Sequence, residues 1–202
     1  GDSQVVTAPL ITLLSDFGLR DPYVAEMKAV ILSICSQARL VDISHEIEKF
    51  NTRMGAFVLA SAAPYFPTGT IHVAVVDPGV GTKRRALLAE TRQAFFVGPD
   101  NGLLMLAAQR QGIKHVYNIA SRRFMLSRVS WTFHGRDVFA PVAAHLAKGG
   151  CKQSDFGSEI KDYVVPRFAK PRLTKSALFG EVLHVDDFGN IVTNISRAEF
   201  EK

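Results

Sequence analysis

Cysteine, tryptophan and clustered positive charge are all scarce in this sequence. Its 202 residues include two cysteines, Cys35 and Cys151, far apart and without a Cys-x-x-Cys spacing. That argues against a disulfide framework and against a thiolate zinc site, and leaves two free thiols. No apolar run approaches the ~20 residues that a membrane span needs. No basic start leads into an apolar core, so no export signal is expected, and residues 1–4 read either as an added end or as one left by processing. The net charge is +5, but its cations are dispersed, with adjacent arginines only at Arg84-Arg85 and Arg122-Arg123 and no aromatics interleaved. A nucleic-acid partner is therefore not expected. What is present, 47% hydrophobic and 21% charged residues, is the composition of an ordinary soluble globular protein with length enough for a real core.

Periodicity gives the architecture. Short β-branched runs at 10–14, 40–43, 71–76, 86–90, 94–97 and 115–119 read as strands. Residues 23–36 place Val24, Met27, Val30, Ile31 and Ile34 at helical spacing, and 54–63 and 138–148 read as helices too. Pro99-Asp100-Asn101-Gly102 is a turn with an apolar helical start at Leu103. Strands alternating with helices predict an α/β fold with a mainly parallel sheet flanked by helices. Residues 158–176 read as a connector. Runs at 179–185 and 191–195 then flank Asp186-Asp187-Phe188-Gly189-Asn190 as a hairpin-like pair. Two strands are too few to stand alone. The expected division is an α/β domain over 1–165 and, over 166–202, a linker with the beginning of an antiparallel β domain.

Polar residues gather where strands end. The run from His72 to Val76 stops at Asp77-Pro78-Gly79-Val80-Gly81, and Arg84 can reach back over the turn toward Asp77. A carboxylate at the carboxyl end of such a strand faces the crevice where α/β sheets bind ligands. His134-Gly135-Arg136-Asp137 precedes a helix, whose start favours an anion such as a forming hydroxide. A histidine there can orient a water, and Arg84 lowers the cost of negative charge beside it. Asp16 can accept the hydroxyls of a ribose, and Asp21, Asp186 and Asn190 complete the polar set. Plain readings stand beside these: a turn at Asp77, a cap at Asp137 or Asp16, packing or hydrogen bonding for His45 and His72, core for Phe50. The residues alone support a small-molecule site on an α/β sheet.

Together the motifs are more specific. Ser-Asp-Phe-Gly at 15–18, Asp-Pro-Tyr-Val at 21–24, Asp-Ile-Ser-His at 42–45, Val-Val-Asp-Pro-Gly-Val-Gly at 75–81, Gly-Pro-Asp-Asn-Gly at 98–102, Phe-His-Gly-Arg-Asp-Val-Phe at 133–139 and Asp-Phe-Gly-Asn-Ile at 187–191 follow one another in order. The chain resembles the S-adenosyl-L-methionine hydroxide adenosyltransferase family, relatives of the fluorinating and chlorinating enzymes. The resemblance implies a displacement at the ribose 5′-carbon of S-adenosyl-L-methionine by water, without metal or cofactor. It places a water-holding triad on Asp77, Arg84 and His134, and the ribose hydroxyls on Asp16. Asp21 and Asp186 fall at the methionine end. Phe50 and Phe133 fall on aromatic walls, Phe188 beside the adenine, and Asn190 at a hydrogen bond to adenine or ribose. The intact charged triad favours water over halide. The resemblance further implies a homotrimer with sites at subunit interfaces, no nucleic acid or membrane partner, and a cytoplasmic location where the substrate is found. The family's longer C-terminal β domain is the point of departure. It keeps open a non-catalytic adenosine-binding module and, less well matched, a metal-dependent hydrolase on Asp16, Asp77, His134 and Asp137.

Overall fold

A computed structural model describes residues 8–201, so residues 1–4 lie outside the described part of the chain. Six strands form the central sheet: β1 (Leu10–Ser15), β2 (Arg39–Ser44), β3 (Ile71–Val75), β4 (Ala86–Thr91), β5 (Phe95–Pro99) and β6 (Ile113–Asn118). Their order across the sheet is β2-β1-β3-β5-β4-β6. The pairs β1–β2, β1–β3 and β3–β5 are parallel, while β4 runs antiparallel to both its neighbours. The sheet is thus mainly parallel, as expected.

β3 is buried along its whole length, because helices cover both sheet faces. Val73 and Val75 pack with Met27, Ile31 and Val142, on the side of α1 (Tyr23–Ile34) and α4 (Ala140–Lys148). Ala74 and Val76 pack with Leu59, Leu103 and Phe96, on the side of α2 (Thr52–Ala62) and α3 (Met105–Arg110). Each fully buried aliphatic side chain contributes about 1.5–3 kcal/mol relative to exposure. α2 begins where Asn51 accepts a hydrogen bond from the Met54 amide at 2.9 Å, a side-chain cap.

Two details position the site. From β1 the chain crosses by α1 to β2 on one side, whereas β3 lies on the other side of β1 and continues to β5. The carboxyl ends of β1 and β3 therefore flank the point where strand order reverses, the place where open α/β sheets take ligands. The reversed direction of β4 also starts it at that same end of the sheet, which brings the residues just before Ala86 beside the end of β3.

Beyond residue 165 the expected hairpin is present as β9 (Val182–Val185) with β10 (Ile191–Thr193). The run anticipated at 179–185 is divided. Phe179 belongs to β8 (Leu178–Phe179), which pairs with β7 (Arg172–Leu173), and the break falls at Gly180-Glu181. There the Glu181 amide donates to the Asn194 side chain at 2.8 Å, which takes the place of a continuous ladder. A short helix, α5 (Arg197–Phe200), closes the described chain on a Ser196–Glu199 capping box.

Candidate active site

Asp77 lies two residues past the end of β3, and the turn after it returns the chain so that Arg84 lies over the strand end. The Arg84 Nε–H donates to both carboxylate oxygens of Asp77, at 2.9 and 3.0 Å, and its terminal NH2 closes the fork on Oδ2. The same terminal nitrogen donates to His134 Nδ1 at 2.8 Å. Arg84 is thus the middle member of the chain Asp77–Arg84–His134, with its side chain 10% and that of Asp77 5% exposed. The turn closes tightly. Gly81 has φ +76°, and a Cβ there would stand 2.3 Å from the Trp131 carbonyl oxygen, so a larger residue would push away the loop that carries His134.

A guanidinium only donates, so Nδ1 of His134 accepts and the proton of the neutral ring sits on Nε2. Burial and then the Arg84 charge push the His134 pKa down, against the Asp77 carboxylate and the Ser130 backbone. His134 itself is the residue from which the helix departs. A π-helical turn, Gly135–Phe139, leads into α4, so the helix begins nearer to His134 than the periodicity from Val138 suggests. Asp137 does not cap this helix, at whose start no side chain makes a capping hydrogen bond. Its buried carboxylate accepts from the Ser130 amide at 2.8 Å and Arg136 Nε at 2.7 Å, holding the loop before His134. Burial alone would raise the Asp137 pKa, but Arg136 and Ser130 hold it below the usual carboxylate value.

A cavity of about 190 Å³ opens at the strand-order reversal, lined by Asp16, Phe50, Asp77, Phe133 and His134 together with Phe17. It is small beside the roughly 300–1,000 Å³ of ordinary ligand pockets. Phe133 meets Phe17 and Tyr23 edge-on at centroid distances of 5.4 and 5.2 Å, and the Arg136 guanidinium lies over its ring at 4.9 Å. Asp16 accepts the Phe50 amide at 2.8 Å, and Phe50 is held at φ +63°, the one described non-glycine residue in left-handed backbone. The residue is 63% exposed, so the core reading of Phe50 gives way to a strained residue at the cleft rim.

A relay that runs from buried Ser15 and His45 to the exposed Asp42 stands behind Asp16. Ser15 Oγ is bonded to His45 Nδ1 at 2.6 Å, and His45 Nε2 to Asp42 Oδ1 at 3.0 Å. The Gly18 amide donates to the His45 carbonyl at 2.8 Å, so the ends of β1 and β2 are tied on both sides of Asp16. For His45 the hydrogen-bonding reading holds. Sequence reasoning gave no part to Ser15, and its only signal was its place at a strand end beside Asp16. His72 also follows the plainer reading, fully buried, bonded to Thr12 at 2.6 Å and stacked on Phe96.

Four expected site residues are elsewhere. Asp21 is exposed and outside the cavity lining. Asp186 accepts from the amides of Phe188 and Asn190 and from the Asn190 side chain, and so organises its own turn, with Phe188 92% exposed. Among the described residues no group of three or more His, Cys, Asp or Glu side chains is arranged to hold a metal ion, so Asp16, Asp77, His134 and Asp137 do not form a ligand cluster.

An aromatic-walled cleft at a strand-order reversal, with a carboxylate–guanidinium–imidazole chain in its wall, defines a small-molecule site of the α/β class. Residues 11–157 match the SAM hydroxide adenosyltransferase N-terminal domain, and the chain belongs to that family. It is 42% identical over 195 residues to an (R)-S-adenosyl-L-methionine hydrolase of Methanocaldococcus jannaschii, covering 94% of this chain and 68% of that protein. A fluorinase of an Actinoplanes species is 28% identical over 221 residues, covering 96% of this chain and 74% of the fluorinase. The crystal structure of an uncharacterized conserved protein from Thermotoga maritima superposes with a TM-score of 0.85 at 42% identity, over 95% of this chain and 73% of that one.

Proposed function

We propose that this protein hydrolyses S-adenosyl-L-methionine to adenosine and L-methionine. The observation that carries this is the Asp77–Arg84–His134 chain in the wall of a cleft that also bears Asp16. In the reaction the water oxygen bonds to the ribose 5′-carbon while the C5′–S bond breaks. The bonding pair leaves with sulfur as the neutral thioether, so the leaving group needs no acid. The demand falls on the nucleophile, which develops negative charge as its proton passes to solvent water. Arg84, fixed by Asp77, supplies a standing positive charge at that place without reorganisation. Neutral His134 has its lone pair engaged by Arg84, so it orients the water through Nε2–H rather than receiving its proton at Nδ1. Asp16 holds the ribose hydroxyls against the Phe50 and Phe133 walls, which fixes carbon, sulfur and water in line.

In this reading no metal or cofactor takes part. Asp21, Asp186, Phe188 and Asn190 act on substrate across a subunit interface of a homotrimer. That accounts for a cleft too small for the whole substrate and for a C-terminal hairpin that contributes no residue to its lining. We take 1–165 as the cleft-bearing domain and the strands after it as part of a β domain. Among the described residues no helix is long and apolar enough to cross a membrane. A cytoplasmic location, where the substrate is made, fits the reading.

The test is to incubate the protein with S-adenosyl-L-methionine and EDTA and identify the nucleoside by chromatography. Adenosine formed at the same rate with and without chelator is expected. Tight binding without turnover would instead mark a non-catalytic binding module, and loss of activity on chelation a metal-dependent hydrolase.

A further inference from the structure

The triad has two sides. The cleft described above lies on one, and its charged lining residues are the carboxylates of Asp16 and Asp77, beside the neutral imidazole of His134. On the other side a separate pocket of about 320 Å³ also reaches His134, and it is walled by Lys83, Arg84, Arg85 and Arg122, with Val129 among its apolar residues. No carboxylate lines it. Arg84 is balanced by Asp77, and Arg85 by Asp100 and Asp162. Lys83 has no ion pair among the described residues, and the Arg122 guanidinium reaches only the Met125 sulfur and the Ser127 carbonyl, at 3.9 and 3.5 Å. With Asp77 and Arg84 cancelling, the front keeps the Asp16 carboxylate and the rear the unpaired Lys83 and Arg122, with Arg84 and His134 as the partition.

Under the hydrolase reading, on which this inference rests, that polarity separates the two reactants. A sulfonium cation is drawn to the front cleft, and once seated it closes the route from that side to the triad. Water consumed in each turnover must then arrive from elsewhere, and the rear pocket meets the same imidazole. We propose that this pocket is the rear entrance through which water reaches Arg84 and His134, and that its cations make it a binding chamber for small anions. An anion resident there would sit on the nucleophile's path and leave the substrate cleft free.

The experiment uses the whole chain in three forms: unsubstituted, Val129→Trp to fill the chamber, and Lys83→Glu to reverse its unpaired charge at an exposed position. With S-adenosyl-L-methionine, Val129→Trp should lower kcat at least tenfold with KM within twofold, while adenosine binding by calorimetry stays unchanged. Bromide should inhibit the unsubstituted protein without competing with S-adenosyl-L-methionine, and Lys83→Glu should weaken that inhibition at least fivefold. Full kcat in Val129→Trp with calorimetrically normal binding, or bromide inhibition that is competitive with substrate, would overturn the proposal. Should Val129→Trp not fold, the Lys83→Glu comparison decides alone. If the unsubstituted protein releases no adenosine, the hydrolase reading fails by itself. A bromide-soaked crystal then tests the chamber, where an anomalous peak between Lys83 and Arg122 supports it and an empty pocket refutes it.

Discussion

Arg84 donates from one guanidinium nitrogen to both Asp77 and His134, so the imidazole is positioned by a cation rather than by a carboxylate. A lysine ammonium is a single point of charge and cannot hold both partners in one plane. Arg84→Lys should therefore lower kcat by roughly 100-fold or more, with KM for S-adenosyl-L-methionine changed only a few-fold, the scale of losing a preorganised charge. Steady-state rates of adenosine release read both constants.

Protonating His134 would place a second positive charge against Arg84 and cost the ring its acceptor at Nδ1. Its pKa is already lowered by burial and by that same guanidinium, so the ring is neutral at pH 7 and stays so some way into acid. The rate should be flat above neutrality and fall on the acid side with a midpoint below 6.5. In Arg84→Gln the midpoint should move up, because one of the two causes of the shift is gone. A pH profile of kcat/KM measures both.

Removing one member of the buried Asp77–Arg84 pair leaves its partner charged and unmatched. Asp77→Ala should destabilise the fold by about 3–5 kcal/mol, the usual consequence of stranding a buried charge. Asp77→Asn, which keeps the shape and one acceptor, should cost less while still abolishing most activity. Urea unfolding midpoints compared with activity distinguish the two effects.

His72 offers a test far from the cleft. It is fully buried in β3, its Nε2 has no partner among the described residues, and burial pushes its pKa down to about 4. The folded protein binds fewer protons there than the unfolded chain, so stability falls as pH drops below about 6.5 and continues to fall to about 4, by ~3 kcal/mol in all. His72→Gln should remove most of that slope between pH 6.5 and 4, whatever it does to stability at pH 7. Thermal melts across that range are the measurement.

Phe50 carries its ring on left-handed backbone. Phe50→Gly should recover the strain, on the order of 1 kcal/mol, offset in part by glycine's greater freedom when unfolded, and should raise KM through loss of an aromatic wall. Unchanged KM would remove Phe50 from substrate contact.

Much of this was legible because it is local. Val73 to Val76 could only be a buried strand, and Asp77 could only fall at its end. The reach from Asp77 to Arg84 spans one turn, so spacing alone suggested it. The meeting of Arg84 with His134 crosses fifty residues and depends on β4 running backwards, which periodicity does not encode. The Ser15–His45–Asp42 relay was opaque for a similar reason, since it forms only when β1 and β2 lie side by side. The plain core reading of Phe50 failed because aromatic residues predict burial, while its conformation is set by the Asp16 carboxylate drawing on its amide. The division of the strand at Gly180 follows from the Asn194 side chain, which no local pattern announces.

The single reversed strand has one more effect. Since β4 starts at the cleft, its far end and the exposed Arg92-Gln93 turn to β5 stand at the opposite pole of the sheet. That turn is a natural handle: a dye, a surface tether or a grafted peptide placed there would hold the molecule with its reactive face turned outward.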